Sequence, residues 1–387
     1  MPILSVIIPT HERFRYAKET VAAILGMHED IELIVSDTSA VDPWTSFAQH
    51  PRLRIVRPGT GLSVVDNFNA ALSHATGDYV CFIGDDDLIT PEIVDIACKA
   101  KSLGVDAVHF TFPILFYWKD YLHRSDPEAY SGTIWVSQYS GRIRTLDTEA
   151  ALREAADNLG HGVFDMPRSY CGLISRSLIE RILADHDALF GGVSPDIYSA
   201  ALISAHAVKA LDVDFPAIIP GASGASTAGQ SAAGRHVGEL RDNDHIRPFR
   251  DLIWHPLVPE FYSVPTVWGY SLVRAIERLP GNLDIRPNWG RLYARCLLHH
   301  RPYWRPTVRA MKAYAEHNSA LSLLWTLASG IILELGWAMG RVRRRLSVRF
   351  KVMQDRRIAG IESSHDAATV IGQAIDDGPQ LAWTQAS

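Results

Sequence analysis

Three consecutive carboxylates, Asp85, Asp86 and Asp87, follow the apolar run Tyr79, Val80, Cys81, Phe82, Ile83. A β-rich run of that length suits a buried strand, so the acids would gather at its C-terminal end. Like charges this close raise one another's pKa, and a hard divalent cation with oxygen ligands keeps them ionised. The plain alternative is a solvated acidic turn, with Thr90 as N-cap and Pro91 at the first position of the next helix.

The elements around the triplet favour the first reading. The chain opens with an apolar run from Ile3 to Ile8, then Pro9, Thr10, His11, Glu12 and Arg13, and a helical pattern carrying Phe14, Ala17, Val21, Ile24 and Leu25. Ile31 to Val35 and Leu53 to Val56 read as strands. The stretch from Leu62 to Ala75 and the one carrying Ile93, Ile96, Ala97, Ala100 and Leu103 read as amphipathic helices, and Val105 to Phe110 reads as another strand. Strands alternating with helices predict an α/β fold, a mostly parallel sheet covered on both faces. In such sheets ligands collect at the carboxyl ends of the strands, where Pro9, Asp37 and the Asp triplet would lie.

In order and spacing, SVIIPTHER, IVSDTSA and NFNAALSHATGDYVCFIGDDDLITPE resemble the nucleotide-binding half of family-2 glycosyltransferases of the GT-A fold, over about the first 110 residues. The resemblance implies a nucleotide-sugar donor, a Mn²⁺ or Mg²⁺ ion and transfer with inversion at the anomeric carbon. Counted back from Pro91, the family's metal-binding aspartate falls on Asp86, with Asp85 nearer the ribose. A simple DxD reading takes Asp85 and Asp87 instead, and Gly84 stands where many relatives carry the first acid. The expected metal ligands are therefore Asp86 and Asp87. Donor-side positions implied in the same way are Pro9, Thr10, Glu12, Asp37 for the base edge, Asn69 and Asp85. Asn67 and Asp66 compete with Asn69, and Asp37 reads equally well as a turn residue.

The chemistry of the chain fits that implication. A departing nucleoside diphosphate needs electrostatic stabilisation from a metal or from Arg and Lys. No glycine-rich GxxxxGK loop is present to supply it, which leaves the work to a metal held by acids. An inverting transfer also needs a general base for the acceptor hydroxyl. MPRSYCGLISRSLIERI followed by LFGGVSPDIYSAALISA resembles the family's acceptor-side segment, with Asp196 where many relatives place that base and Asp165 as the next candidate. Asp196 also reads as a cap of the helix Ile197 to Ala207.

At 387 residues the chain exceeds one compact domain, so a catalytic domain with an appendage is expected: residues 1–225 catalytic, divided near 110, residues 226–345 helical, and residues 346–387 a basic segment and flexible tail. The four cysteines, at 81, 98, 171 and 296, make neither a metal-type spacing nor a disulfide frame, and the start of the chain runs straight into a strand. A cytoplasmic enzyme is the reading that follows.

The net charge of −5 conceals an asymmetry. Residues 301–357 hold twelve Lys or Arg against three acids, and the apolar stretch Ser319 to Gly340, interrupted only by Glu334, runs into arginines 341, 343, 344, 345 and 349. That pairing points to an anionic membrane surface rather than to nucleic acid. Its 22 residues could span a bilayer, with Gly336 and Gly340 as a GxxxG pair, but the positive flank and the need for cytoplasmic donor favour a helix lying at the inner face or docked on the domain. Gly221 to Gly234 reads as a linker, or as a mobile lid bringing Arg235 or His236 to a diphosphate.

The expected activity is thus metal-dependent, inverting transfer from a nucleotide sugar, a UDP-sugar first, to a glycan or lipid-linked acceptor in bacterial-type surface polysaccharide synthesis. A sugar-1-phosphate nucleotidyltransferase and a catalytically silent membrane-bound scaffold are the alternatives.

Overall fold

The computed structural model describes residues 1–383 apart from 28–29, 48–49, 124–125, 227–228, 230–236, 282 and 351–355. Arg235 and His236 therefore lie outside the described residues.

The sheet is organised by β1 (Leu4–Thr10), whose apolar residues are buried on both faces as a central parallel strand requires. α1 follows (Phe14–Leu25) and turns Tyr16, Ala17, Val21 and Ile24 inward. β2 (Ile31–Asp37) pairs in parallel with β1 in a register that sets Thr10 opposite Asp37, and β3 (Leu53–Val56) extends that edge. α2 (Val64–Leu72) starts at a capping box in which Ser63 and Asp66 satisfy each other's backbone N–H groups. β4 (Tyr79–Phe82) pairs in parallel with the other side of β1. The Asp triplet and the short β5 (Leu88–Ile89) come next, then α3 (Glu92–Ser102) and β6 (Ala107–Phe110).

The whole sheet has eight strands in the order β3, β2, β1, β4, Leu173–Ser175, β6, Ala210–Val213, Ile143–Thr145. Leu173–Ser175 runs antiparallel between β4 and β6, and Ile143–Thr145 is an antiparallel edge; the other pairings are parallel. Apolar clusters cover both faces, so the expected α/β architecture is present, with a helical C-terminal part. One local expectation differs. Thr90 does not cap α3: its hydroxyl is buried without a hydrogen-bond partner, and Pro91 occupies the position before the helix.

The tail expected to be flexible holds ordered elements. Arg356–Ala359 pairs antiparallel with Thr133–Val136, and the helix Ser364–Asp376 packs on α1 behind a capping box of Ser363 and Asp366. That S-x-x-D signal stands in the sequence, but a capping box specifies only a helix start, and the docking surface on α1 is assembled from far along the chain.

The long helix Ala320–Phe350 is docked on one side and open on the other. It crosses the helix Trp289–His299 at Gly330 and Gly290, where a Cβ on either glycine would meet the opposing backbone at 2.1 or 1.9 Å. A Cβ on Gly336 or Gly340, the expected GxxxG pair, would meet no other element within 4 Å among the described residues. The one acid of the apolar stretch is the anchor. Glu334 is buried, 2.5 Å from His161 Nε2 and 2.8 Å from Arg291 Nε, with Arg295 and His299 each 3.6 Å away. Burial pushes its carboxyl up, but His161 and the arginines outweigh that and hold it below the usual glutamate value. Leu321, Leu324, Trp325, Ile332, Leu335 and Met339 face outward.

Candidate active site

Parallel register gathers the ends of β1, β2 and β4 at one edge, so Thr10, Asp37 and the Asp triplet are neighbours there. The triplet is a tight turn held from behind. Thr20 Oγ1 donates to the backbone oxygens of Asp85 and Asp87, both at 3.0 Å, and Trp118 Nε1 donates to that of Asp86 at 2.8 Å. All three aspartates are nearly inaccessible.

Their carboxylates do not share one direction. Asp87 turns inward, accepting from Gly84 N at 2.6 Å and Gly221 N at 2.7 Å, and so holds the turn against the two-residue strand Gly221–Ala222. Asp85 and Asp86 instead converge on Arg13, whose Nη2 lies 3.0 Å from Asp85 Oδ1 and 2.8 Å from Asp86 Oδ2. Thr10 Oγ1 donates to Asp85 Oδ2 at 2.6 Å, and Ser223 N donates to Asp86 Oδ2 at 3.0 Å. Burial raises the Asp85 carboxyl well above the usual aspartate value, Arg13 opposing and Asp86 adding to it. Asp87 is raised by burial and by Asp86, against the N–H groups of Gly221 and Gly84.

Asp85 and Asp86 fit a hard divalent ion. Asp85 Oδ1 is buried and accepts no hydrogen bond although it is ion-paired, and it shares a single cationic atom with Asp86. Among the described residues no set of three His, Cys, Asp or Glu surrounds one point. Two carboxylates completed by phosphate oxygens and water are a usual protein site for Mg²⁺.

Gly84 is required by space. A Cβ there would lie 2.6 Å from the Tyr170 hydroxyl and 3.0 Å from Asp87 Oδ2, so any side chain at this point requires Tyr170 to shift. Gly84→Ala is expected to lower stability by about 1–3 kcal/mol, the usual range for an overpacked site. Tyr170→Phe in the same chain should restore much of that loss in thermal denaturation; no loss in the single variant would show that Tyr170 yields freely.

In front of Asp85 lies a cavity of about 360 Å³ lined by Pro9, Thr10, His11, Arg13, Thr38, Asn67, Phe68 and His245, among others. Of the polar residues on α2, Asn67 is part of the lining with its amide bonded to Ser36 at 2.6 and 3.2 Å, while Asn69 bonds both backbone groups of Phe190, at 3.0 and 3.2 Å, and so ties α2 to the 190 region. Asp66 serves the capping box. Glu12, with φ of 55°, accepts from Ala40 N at 2.8 Å and links the first loop to the end of β2. Asp37 is buried with both oxygens engaged: Trp44 Nε1 at 2.8 Å and Arg57 Nη1 at 3.0 Å on one, Ser39 N at 2.8 Å and its hydroxyl at 2.5 Å on the other. A larger groove of about 690 Å³ adjoins the cavity through Gly61, Leu62 and Pro248.

Asp196 sits in the first turn of the helix Pro195–His206, behind Ser194. Burial raises its carboxyl, opposed by the backbone N–H groups of Ile197 and of Asp196 itself, by Arg168 and by His245. Ser194 makes no side-chain cap, so the helix N-terminus is left to Asp196. His245 lines the cavity, interacts electrostatically with Asp196, and has its ring nitrogen Nε2 2.6 Å from Val193 O. Asp165 is exposed. Sequence reasoning missed His245, which lies in a stretch without periodicity, and assigned Arg13 no role.

Residues 5–159 match the model of Glycosyl transferase family 2. Over that segment the chain is similar to the family. An uncharacterized protein of Sinorhizobium fredii is 32% identical over 117 residues, covering 28% of this chain and 13% of its own length, so the chain spans only a small part of that relative. Among solved structures, S. aureus TarS 1-349 in complex with UDP-GlcNAc aligns over 88% of this chain and 92% of its own at 16% identity and a TM-score of 0.49. The mannosyltransferase PcManGT from Pyrobaculum calidifontis in complex with GDP-Man and Mn²⁺ aligns over 97% and 88% at 16% identity and a TM-score of 0.38. Both are loose likenesses of overall shape.

Proposed function

We propose that the chain is an inverting, metal-dependent glycosyltransferase that moves a sugar from a nucleotide sugar, a UDP-sugar first among candidates, to a glycan or lipid-linked acceptor in surface polysaccharide synthesis. One observation carries the reading: Asp85 and Asp86 converge on a single cationic atom at the carboxyl edge of the sheet, at a cavity of about 360 Å³.

The residues divide the work as follows. Pro9, Thr10 and Glu12 shape the wall for the nucleoside, with Asn67 part of the same lining. Asp37 reaches a base edge only by giving up one of its present partners. Asp85 and Asp86 hold a Mn²⁺ or Mg²⁺ ion, which when bound supplies positive charge against the leaving diphosphate. Asp87 keeps the turn in shape. Asp196 takes the proton of the attacking acceptor hydroxyl, and the adjoining groove of about 690 Å³ offers the acceptor a path. A thermal-shift screen of UDP-, GDP-, dTDP- and CMP-sugars with and without Mn²⁺ tests the reading. Stabilisation by one nucleotide class that depends on Mn²⁺ is expected; none by any pair would overturn it.

Ala320–Arg341 is long and apolar enough to cross a membrane by length and composition. Its anchor through Glu334 and the outward apolar face support a different placement, flat on an anionic inner leaflet, with the exposed Arg341 and Arg343 at the head groups. Flotation of the full chain with phosphatidylglycerol vesicles, lost in Trp325→Asp, is the expected result. Unchanged flotation of that variant would remove the apolar face from membrane binding.

A further inference from the structure

The cation that the acidic pair holds in this structure is a side chain of the protein. Arg13 Nη2 touches Asp85 and Asp86 and also donates to Ser223 Oγ at 2.9 Å. The guanidinium carbon stands 5.4 Å from the centre of the Tyr16 ring, and Arg13 Nε is buried without a hydrogen-bond partner. The side chain is 24% exposed and forms part of the cavity wall, so it can turn toward that cavity without unfolding anything. Arg13 is thus incompletely satisfied where it sits and has space beside it.

We propose that Arg13 is a built-in counter-ion that fills the divalent-cation position in the donor-free protein and leaves it when a nucleoside diphosphate arrives. The inference rests on the metal-dependent reading above and adds an order of binding to it. Two buried carboxylates need a positive partner before any donor is present, since an uncompensated buried charge is strongly destabilising. A tethered guanidinium competes with free metal at high effective concentration, so the ion alone binds weakly. A diphosphate changes the balance: it presents planar pairs of oxygens that a guanidinium engages in bidentate fashion, and it adds ligands to the metal. Arg13 then exchanges two carboxylates for phosphate oxygens, and the metal takes its place. Ser223 N stays on Asp86, so the turn survives the exchange.

Titration calorimetry of MnCl₂ into the full chain, with and without UDP or GDP, tests this. Wild type should bind Mn²⁺ weakly alone and tightly with the matching nucleotide. Arg13→Met, of similar length but uncharged, should bind Mn²⁺ alone at least about tenfold more tightly than wild type, the gain expected from removing a competing ion pair. It should bind the Mn²⁺–nucleotide pair more weakly than wild type. Its melting temperature should be lower than that of wild type and recover with Mn²⁺ alone. Arg13→Lys, which keeps the charge but loses the fork, should fall between the two and decides the matter if Arg13→Met does not fold. Affinity for Mn²⁺ alone that is the same in the substituted and wild-type chains would overturn the counter-ion role. Wild type that binds no Mn²⁺ with any nucleotide would instead remove the metal-dependent reading itself.

Discussion

Asp86→Ala is expected to lower kcat/KM for release of nucleoside diphosphate from the matching nucleotide sugar by about 10²–10³, the usual effect of removing one electrostatic stabiliser of a developing anion. Asp86 is the most informative of the three aspartates because of its contacts. Its carboxylate receives Arg13 at 2.8 Å and Ser223 N at 3.0 Å, both from outside the turn, whereas Asp87 is committed to Gly84 and Gly221. The loss should fall on Mn²⁺-dependent nucleotide binding, since Asp86 would help hold the ion that offsets the charge of the diphosphate. Asp87→Ala should instead lower thermal stability, because two backbone N–H groups lose a buried acceptor. If Asp86→Ala left Mn²⁺-dependent nucleotide binding unchanged, the acidic pair would not be the metal site.

Asp196→Asn is expected to retain donor affinity and lose about 10²–10⁴ in turnover, the range a positioned base contributes. Asparagine keeps the shape and can still accept from the helix N-terminus, so the variant separates proton transfer from capping. The pH dependence carries a sign. A base works only when deprotonated, and burial raises the Asp196 carboxyl above the usual aspartate value. Activity should therefore fall with decreasing pH at a higher pH than an exposed aspartate would give, and the residual activity of Asp196→Asn should lack that limb. Turnover unchanged from wild type would return Asp196 to the capping role alone.

The parallel sheet, the run of β1, β2 and β4, and the acidic turn were legible because each rests on local pattern: β-rich apolar runs, 3.6-residue periodicity, and strand ends that a parallel register must align. The tail was misread although its capping box was visible, since what orders Ser364–Asp376 is a surface on α1 more than three hundred residues earlier. The apolar stretch 319–340 was legible as a long helix, but not how it is held. Spacing pointed to Gly336 and Gly340, whereas close approach occurs at Gly330, because only there does Gly290 of another helix lie opposite.

By itself the sequence determined that three carboxylates end a buried strand beside Pro9 and Asp37, and that a helix-rich part with an apolar, then basic, segment follows. Tertiary structure alone decided how those carboxylates divide. Asp87 faces Gly221, while Asp85 and Asp86 face Arg13, across 134 and more than 70 positions of chain respectively. Adjacent residues in a tight turn point in different directions, and the partner each one meets depends on which distant segment packs there.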